Sequence, residues 1–184
     1  MRRNWPGWIA GALAGVAGVV AAAVALSAAS QGARPQTGPL AGYTTHVVAT
    51  HYLRGQAYET HHYFKPLREG VLQGLVFRQM ADGAPLIEVE WAIAQSAWEQ
   101  LPEWQKAHWH PLFPAVDAGR VRLPDLPPDQ EREMLRTVRG LYAQTFNLAG
   151  LNGKLPTGLE GVAMATHLNA EEMRRLMGAM QPGR

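Results

Sequence analysis

The sequence contains no cysteine, which excludes disulfides, thiolate nucleophiles, zinc-thiolate centres and lipid attachment through sulfur. Its folded part also lacks an excess of charge of either sign. Of 17 Lys and Arg, two are Arg2 and Arg3, so Arg34 to Arg184 carries 15 basic residues against 15 acidic ones. Binding a phosphate backbone needs a clustered basic excess. Here the signs alternate, as in Glu131-Arg132-Glu133 and Glu171-Glu172-Met173-Arg174-Arg175; such runs read as solvated helix faces, and no nucleic-acid partner is expected. Also missing are G-x-S-x-G, Walker A, H-E-x-x-H and any G-x-G-x-x-G after a strand, and with them the chemistry those motifs carry. Gly153-Lys154 followed by Pro156 and Gly158 reads as a turn, because neither a hydroxyl residue nor a helix start follows the lysine.

Charge is absent from Asn4 to Ala33 as well. The apolar stretch from Trp8 to Ala29 would span roughly 33 Å as a helix, enough to cross a bilayer. It ends in small residues that suit a signal peptidase, with Ser27/Ala29 or Ala28/Ser30 at the recognition positions. Residues 1–29 are therefore expected to be a signal peptide or a membrane anchor. Either way Arg2 and Arg3 stay on the cytoplasmic side and the domain is exported: anchored to the inner membrane with a periplasmic or extracellular domain, or secreted or periplasmic after cleavage. Residues 30–42, where Gly and Pro interrupt every period, read as a flexible linker. Residues 43–184 are then a single globular domain.

Periodicity predicts strands followed by helices, an α+β class with an antiparallel meander and helices on one side. Segments 57–64, 71–77 and 86–94 are rich in aromatic and β-branched residues, with turn residues such as Asp82-Gly83-Ala84-Pro85 between them. In the third, Ile87, Val89, Trp91 and Ile93 share one face, expected to be buried, while Glu88, Glu90, Ala92 and Ala94 share an at least partly polar one. Ser96 and Glu99 form a capping-box pattern before Trp98, Leu101 and Trp104, and Pro102 restarts that stretch. After the proline-rich run 123–128, Met134, Leu135, Val138, Leu141, Tyr142 and Phe146 recur at helical spacing, predicting a helix to about Phe146. A last helix is predicted from the Asn169 cap, with Met173, Leu176, Met177 and Met180 as a packing stripe. Trp91, Trp98, Trp104 and Trp109 read as core or as the lining of an apolar groove.

The chemistry concentrates in histidine and glutamate. His61 and His62 are neighbours on a strand and point to opposite faces. One of them, with Glu90 from another strand and His110 from the turn after the Trp-rich helix, would give imidazoles and a carboxylate suited to Zn, Fe or Mn. The candidate metal residues are thus His61, His62, Glu90 and His110. The alternative is a histidine that donates to Glu90 and ties two strands together. His46, His51, His108 and His167 are expected at the surface or at strand ends.

Three pieces in order, Glu59-Thr60-His61-His62-Tyr63, Leu86-Ile87-Glu88-Val89-Glu90-Trp91 and the segment from Leu101-Pro102 through Lys106 to Trp109-His110, together with Gln73, Tyr142 and Leu155-Pro156-Thr157-Gly158, carry a resemblance. The stretch from His51 to Thr166 resembles the oil-body-associated proteins of plants and their bacterial relatives, the domain-of-unknown-function 1264 family. The family pattern departs from this chain at polar places. Where it implies Cys and then His after His-His-Tyr, this chain has Phe64 and Pro66. Cys after the glutamine is Gly74 here, a second His after Trp-His is Leu112, and a late His is Asn147.

Two functional readings follow. The first is a non-enzymatic, exported or membrane-anchored protein of the cell envelope, bound to the membrane through residues 8–29 and to lipid or an envelope protein through apolar surface. The second is a metal-dependent enzyme using the His/Glu cluster.

Overall fold

The computed structural model describes residues 38–67, 70–148 and 163–179. The expected leader, most of the linker and the Leu155–Gly158 turn lie outside the described residues. Thr45–Leu53 (β1) and Gln56–Pro66 (β2) form a long hairpin, turned by Arg54 and Gly55, both at positive φ (51° and 81°), as a two-residue turn matching the strand twist requires. Leu72–Phe77 (β3) and Leu86–Ala94 (β4) continue the antiparallel meander, as the aromatic and β-branched segments predicted. The chain then passes through Gln95–Glu99 (α1), Glu103–Lys106 (α2), His110–Pro111 (β5), Phe113–Asp117 (α3), Val121–Arg122 (β6), Pro128–Arg139 (α4), Leu141–Asn147 (β7), Ala163–Ala165 (β8) and Ala170–Ala179 (α5). The sheet runs β5-β7-β4-β3-β2-β1-β6, with β8 also paired to β7.

Beyond β8 the chain reaches back to the other end of the sheet. Tyr52 N–H donates to Thr166 O at 2.7 Å and Thr166 N–H to Tyr52 O at 3.2 Å, an antiparallel bridge between β1 and the residue after β8. The sheet therefore curls into a partly closed barrel within an α+β fold. Arg120 holds this closure from outside, donating to both carboxylate oxygens of Glu172 at 2.7 and 2.9 Å and to the Tyr52 hydroxyl at 2.9 Å.

Closure changes the meaning of the alternation in β4. The face carrying Glu88, Glu90 and Ala92 points into the barrel and is fully buried; on the other face Ile87 and Ile93 are buried, as expected, while Val89 and Trp91 are half-buried. The side read as partly polar is the interior. The inner surface has two zones: Tyr58, Thr60, His62, Glu88, Glu90, Thr145 and Asn147 at one end, and Val47, Ala49, Phe64, Ala92, Leu141 and Ala143 at the other. Helix α4 closes the apolar end through Met134, Leu135 and Val138.

Three expectations need correction. The helix predicted to reach Phe146 ends at Arg139, because Gly140 caps it and 141–147 alternates strictly between buried and half-buried as strand β7; its apolar residues fit both periods over so short a run. The Ser96 capping box does not form: α1 starts at Gln95 with no side-chain cap. Trp104 is 69 % exposed rather than core, while Trp98 stacks on Tyr142 with centroids 4.3 Å apart. The last helix does begin at Asn169, whose Oδ1 accepts from the N–H groups of Glu171 and Glu172 while Glu172 accepts from the Asn169 N–H. Its Met177 is 49 % exposed, so that stripe is only partly packed.

Gly74 faces Phe64 across β2 and β3, and a Cβ there would lie 2.6 Å from Phe64 Cε1. Gly74→Ala is therefore expected to destabilise the fold by about 1–3 kcal/mol, and Phe64→Leu in the same chain should recover part of that loss. Urea denaturation of the single and double variants checks this; equal stability of Gly74→Ala and wild type would refute the close packing.

Candidate metal centre

The polar end of the barrel is a network in which few protons have a choice of position. His51 leaves β1 and directs Nδ1 to Glu88 Oε2 at 2.6 Å. Glu88, on β4, also accepts from Asn147 Nδ2 at 2.8 Å and from the Tyr58 hydroxyl. Burial alone would lower the His51 pKa, but the charge of Glu88 and its hydrogen bond outweigh it and the pKa rises. The same contacts hold the Glu88 carboxyl below its ordinary range although burial pushes it up. The pair is an imidazolium and a carboxylate, the form in which both buried groups are satisfied.

His62 is fixed differently. The single hydroxyl proton of Thr60 goes to Ala49 O at 2.9 Å, so Thr60 Oγ1 can only accept from His62 Nε2, 2.8 Å away. His62 Nδ1 is left with a lone pair, fully buried and without a hydrogen-bond partner, 3.8 Å from Glu90 Oε1. His167 sits after the closing bridge. His110 Nε2 accepts the His167 backbone N–H at 3.3 Å, which makes it the acceptor for His167 Nδ1–H at 2.8 Å as well. His167 Nε2 therefore also carries a lone pair, 2.9 Å from His51 Nε2. Glu90 completes the group: Oε2 accepts from Thr145 at 2.6 Å and lies 3.5 Å from His51 Nε2 and 3.8 Å from His167 Nε2. Burial raises the Glu90 pKa to about 7. Burial also lowers His62 and His167 well below the usual imidazole range, and His110 to about 3.

One ligand atom from each of His51, His62, Glu90 and His167 lies within 4.8 Å of the other three. An ion held at about 2.0–2.2 Å by each donor would set them roughly 3–4 Å apart, so the site needs only a small contraction to close on a metal. The outer contacts to Glu88, Thr60, Thr145 and His110 are of the kind that orient metal-bound imidazoles and carboxylates.

Of the four residues picked from the sequence, His62 and Glu90 supply ligand atoms of this cluster, and His110 stands directly behind His167. His61 points to the outer face of β2, where its Nδ1 is 3.1 Å from His46 Nε2 and His46 Nδ1 is 3.1 Å from Asp125. Burial lowers the His61 pKa. His51 and His167, expected at the surface or at strand ends, are buried inside the barrel, and His46 is buried too, while His108 is exposed. No local motif links His51 to His167, 116 residues apart. The available signal was alternation: His51 lies two positions from Ala49 and Leu53 on the inward face of β1.

These shifts set a pH dependence for the metal-free chain. His62, His110 and His167 remain neutral in the fold but take protons from about pH 6.5 downward once unfolded, so each contributes stability that is lost as pH falls. Glu90 opposes them, since between its ordinary 4.5 and about 7 it is protonated only in the fold. His51 is charged in both states below 6.5 and adds no slope there. Three histidines against one carboxylate leave a net uptake of roughly two protons on unfolding, and stability should fall by roughly 3 kcal/mol per pH unit at the steepest part of the range from pH 6.5 to 4.5. Urea melts in chelator across that range measure it; a flat profile would contradict the network.

Comparison with known proteins places the chain in a family. The sequence model described as "Protein of unknown function (DUF1264)" matches residues 37–180. The chain is 31 % identical over 131 residues to oil body-associated protein 1A of Zea mays, covering 68 % of this chain and 55 % of that protein. It is 28 % identical over 125 residues to oil body-associated protein 1B of Arabidopsis thaliana, covering 65 % and 52 %. The chain thus spans about half the length of the curated relatives it matches. No solved structure matches it. With the family match extending over most of its length, the chain belongs to the domain-of-unknown-function 1264 family that includes the oil-body-associated proteins.

Proposed function

We propose that this domain binds one divalent transition-metal ion, Zn, Fe or Mn, through His51 Nε2, His62 Nδ1, His167 Nε2 and the Glu90 carboxylate. The observation that carries the reading is the unpartnered lone pair of His62 Nδ1, buried beside a second imidazole lone pair and a carboxylate. A buried acceptor without a donor costs about 1–3 kcal/mol, and a cation removes that cost. The mixed nitrogen and oxygen donors suit these metals rather than Ca or Mg. In the metal-free chain, the His51 Nε2 proton lies between His51 and His167; the ion would take its place, so binding releases a proton. With three imidazoles and one carboxylate, a five- or six-coordinate ion keeps positions open for water or a substrate. This is the arrangement the metal-dependent enzyme reading requires.

Untagged chain grown in metal-supplemented medium and dialysed should retain close to one equivalent of metal by elemental analysis. His51→Ala, His62→Ala or His167→Ala should lose it, and His61→Ala on the outer face should keep it. His110→Ala should weaken affinity about 10- to 100-fold through His167. A well-folded wild-type chain that stays metal-free would end the proposal.

A second reading, association with a lipid surface, is favoured by the names of the plant relatives and by the exposure of Trp104, Met80 and Leu40 (69 %, 60 % and 55 %). Among the described residues no helix is long and apolar enough to cross a membrane; the exposed side chains of Trp104, Met80 and Leu40 are the groups through which this reading would have the domain touch lipid. Flotation of the chain with phospholipid-coated triolein droplets is expected, and Trp104→Ser should reduce it; failure of wild type to float would remove this reading.

A further inference from the structure

Beside the His/Glu cluster lies a cavity of about 50 Å³. Its walls include Val47, Ala49, Phe64, Ala92, Leu112 and Leu141, and its inner end is formed by His62, Glu90 and His167. The remaining lining includes Thr45, Lys65, Pro66, Leu72, Thr137 and Val138, all half-buried, so the cavity leads from the α4 end of the barrel to three of the four candidate ligands. His62, whose buried Nδ1 has no hydrogen-bond partner, is one of the residues at that inner end.

We propose that this cavity is the access and holding site for a small, uncharged, apolar molecule of about the size of dioxygen, which it delivers to the open side of the metal. The inference rests on the metal reading above and adds the class of ligand. Size sets one limit: pockets for drug-sized or sugar ligands measure about 300–1,000 Å³, and this one is far smaller. Wall chemistry sets the other. Along the stretch walled by Val47, Ala49, Phe64, Ala92, Leu112 and Leu141 a water would lack the two to four polar partners it needs, since His62, Glu90 and His167 offer polar atoms only at the inner end and would there be engaged by the ion; an anion would have to shed its hydration to pass the same walls before it reached the ion's charge. An apolar molecule meets neither penalty. The cavity also contacts the inner His/Glu end directly, so a molecule in it would sit next to the ion without crossing the polar network around Glu88.

Two probes separate the cavity from the metal. Xenon, followed by the ¹²⁹Xe chemical shift, reads the apolar space alone. Nitric oxide on the anaerobic iron(II)-loaded chain reads arrival at the metal through the EPR signal of the iron nitrosyl, with azide as the charged competitor. Wild type should bind xenon saturably and give the nitrosyl signal, and azide in about hundredfold excess should not diminish it. Ala92→Leu and, as a second variant in case the first fails to fold, Ala49→Leu fill the space from positions 1 % and 2 % exposed. Each should cut xenon and nitric oxide binding by about tenfold or more while iron content stays unchanged. Azide competing on equal terms, or xenon and nitric oxide binding untouched by a folded filling variant, would overturn the inference. A chain that binds xenon but takes up no metal would overturn the metal reading and the delivery step, while the apolar binding site would stand.

Discussion

Everything in this fold depends on placing the Glu88 carboxylate inside a barrel beside His51. An ionised carboxylate is tolerated in an interior only when opposite charge and hydrogen bonds replace its water, and Glu88 has the His51 imidazolium, the Asn147 amide and the Tyr58 hydroxyl. Those partners come from β1, β7 and β2. Strands separated in the sheet can meet on one carboxylate only if the sheet curls, so satisfying Glu88 and closing the barrel are one requirement. Pinning His51 Nδ1 to Glu88 then turns its Nε2 toward Glu90 and His167, and the second group of polar atoms assembles around that direction.

The inner surface is divided along the strands rather than between them. Going along β4 the interior residues are Glu88, Glu90 and Ala92; along β7 they are Asn147, Thr145, Ala143 and Leu141; along β2, Tyr58, Thr60, His62 and Phe64. Antiparallel register aligns the gradients of β4 and β7, pairing Glu88 with Asn147 and Glu90 with Thr145, while β1 and β3 contribute Val47 opposite His62 and Val76 between His62 and Glu88, so the polar groups are concentrated on β2, β4 and β7 with His51 from β1. Helix α4 supplies Met134 where the side chains are apolar, and strand β5 with His110, together with the His167 segment, supplies imidazoles where they are polar. The candidate metal centre and the small cavity are the two halves of one gradient, meeting at His62 and Glu90.

Much of this could be read from the chain, within limits that have physical causes. Strands β2, β3 and β4 declared themselves through aromatic and β-branched residues, and Asn169 with Glu172 declared the last helix. Strand β7 did not, because Leu141, Tyr142 and Phe146 satisfy a helical spacing inherited from Met134 and Val138, and only Gly140 marks the change. The β4 alternation was visible, but the burial of its polar face was not: glutamate normally marks the wet face, and only the closure at Tyr52 and Thr166, a contact between distant segments, makes that face as dry as the one carrying Ile87 and Ile93. The same closure brings in His167. A site whose donors come from β1, β2, β4 and the segment after β8 leaves no spacing in the sequence; His62 and Glu90 drew attention because of their neighbours, and His51 had none of that kind.

The places where the chain departs from the pattern of its family acquire a common location in the fold. Phe64, Pro66 and Leu112 all line the cavity, and Gly74 lies under the Phe64 ring. Asn147 alone falls in the polar half, where it donates to Glu88 and so still serves the carboxylate. A large residue at 64 against a small one at 74 conserves volume, as close packing demands. Taken along the sequence, these departures look like the erosion of a polar site. In space, Phe64, Pro66 and Leu112 lie in the wall of the cavity, and none of these positions is a member of the cluster of His51, His62, Glu90 and His167. The departures therefore bear on the walls through which the His/Glu cluster is reached and not on the residues of the cluster itself.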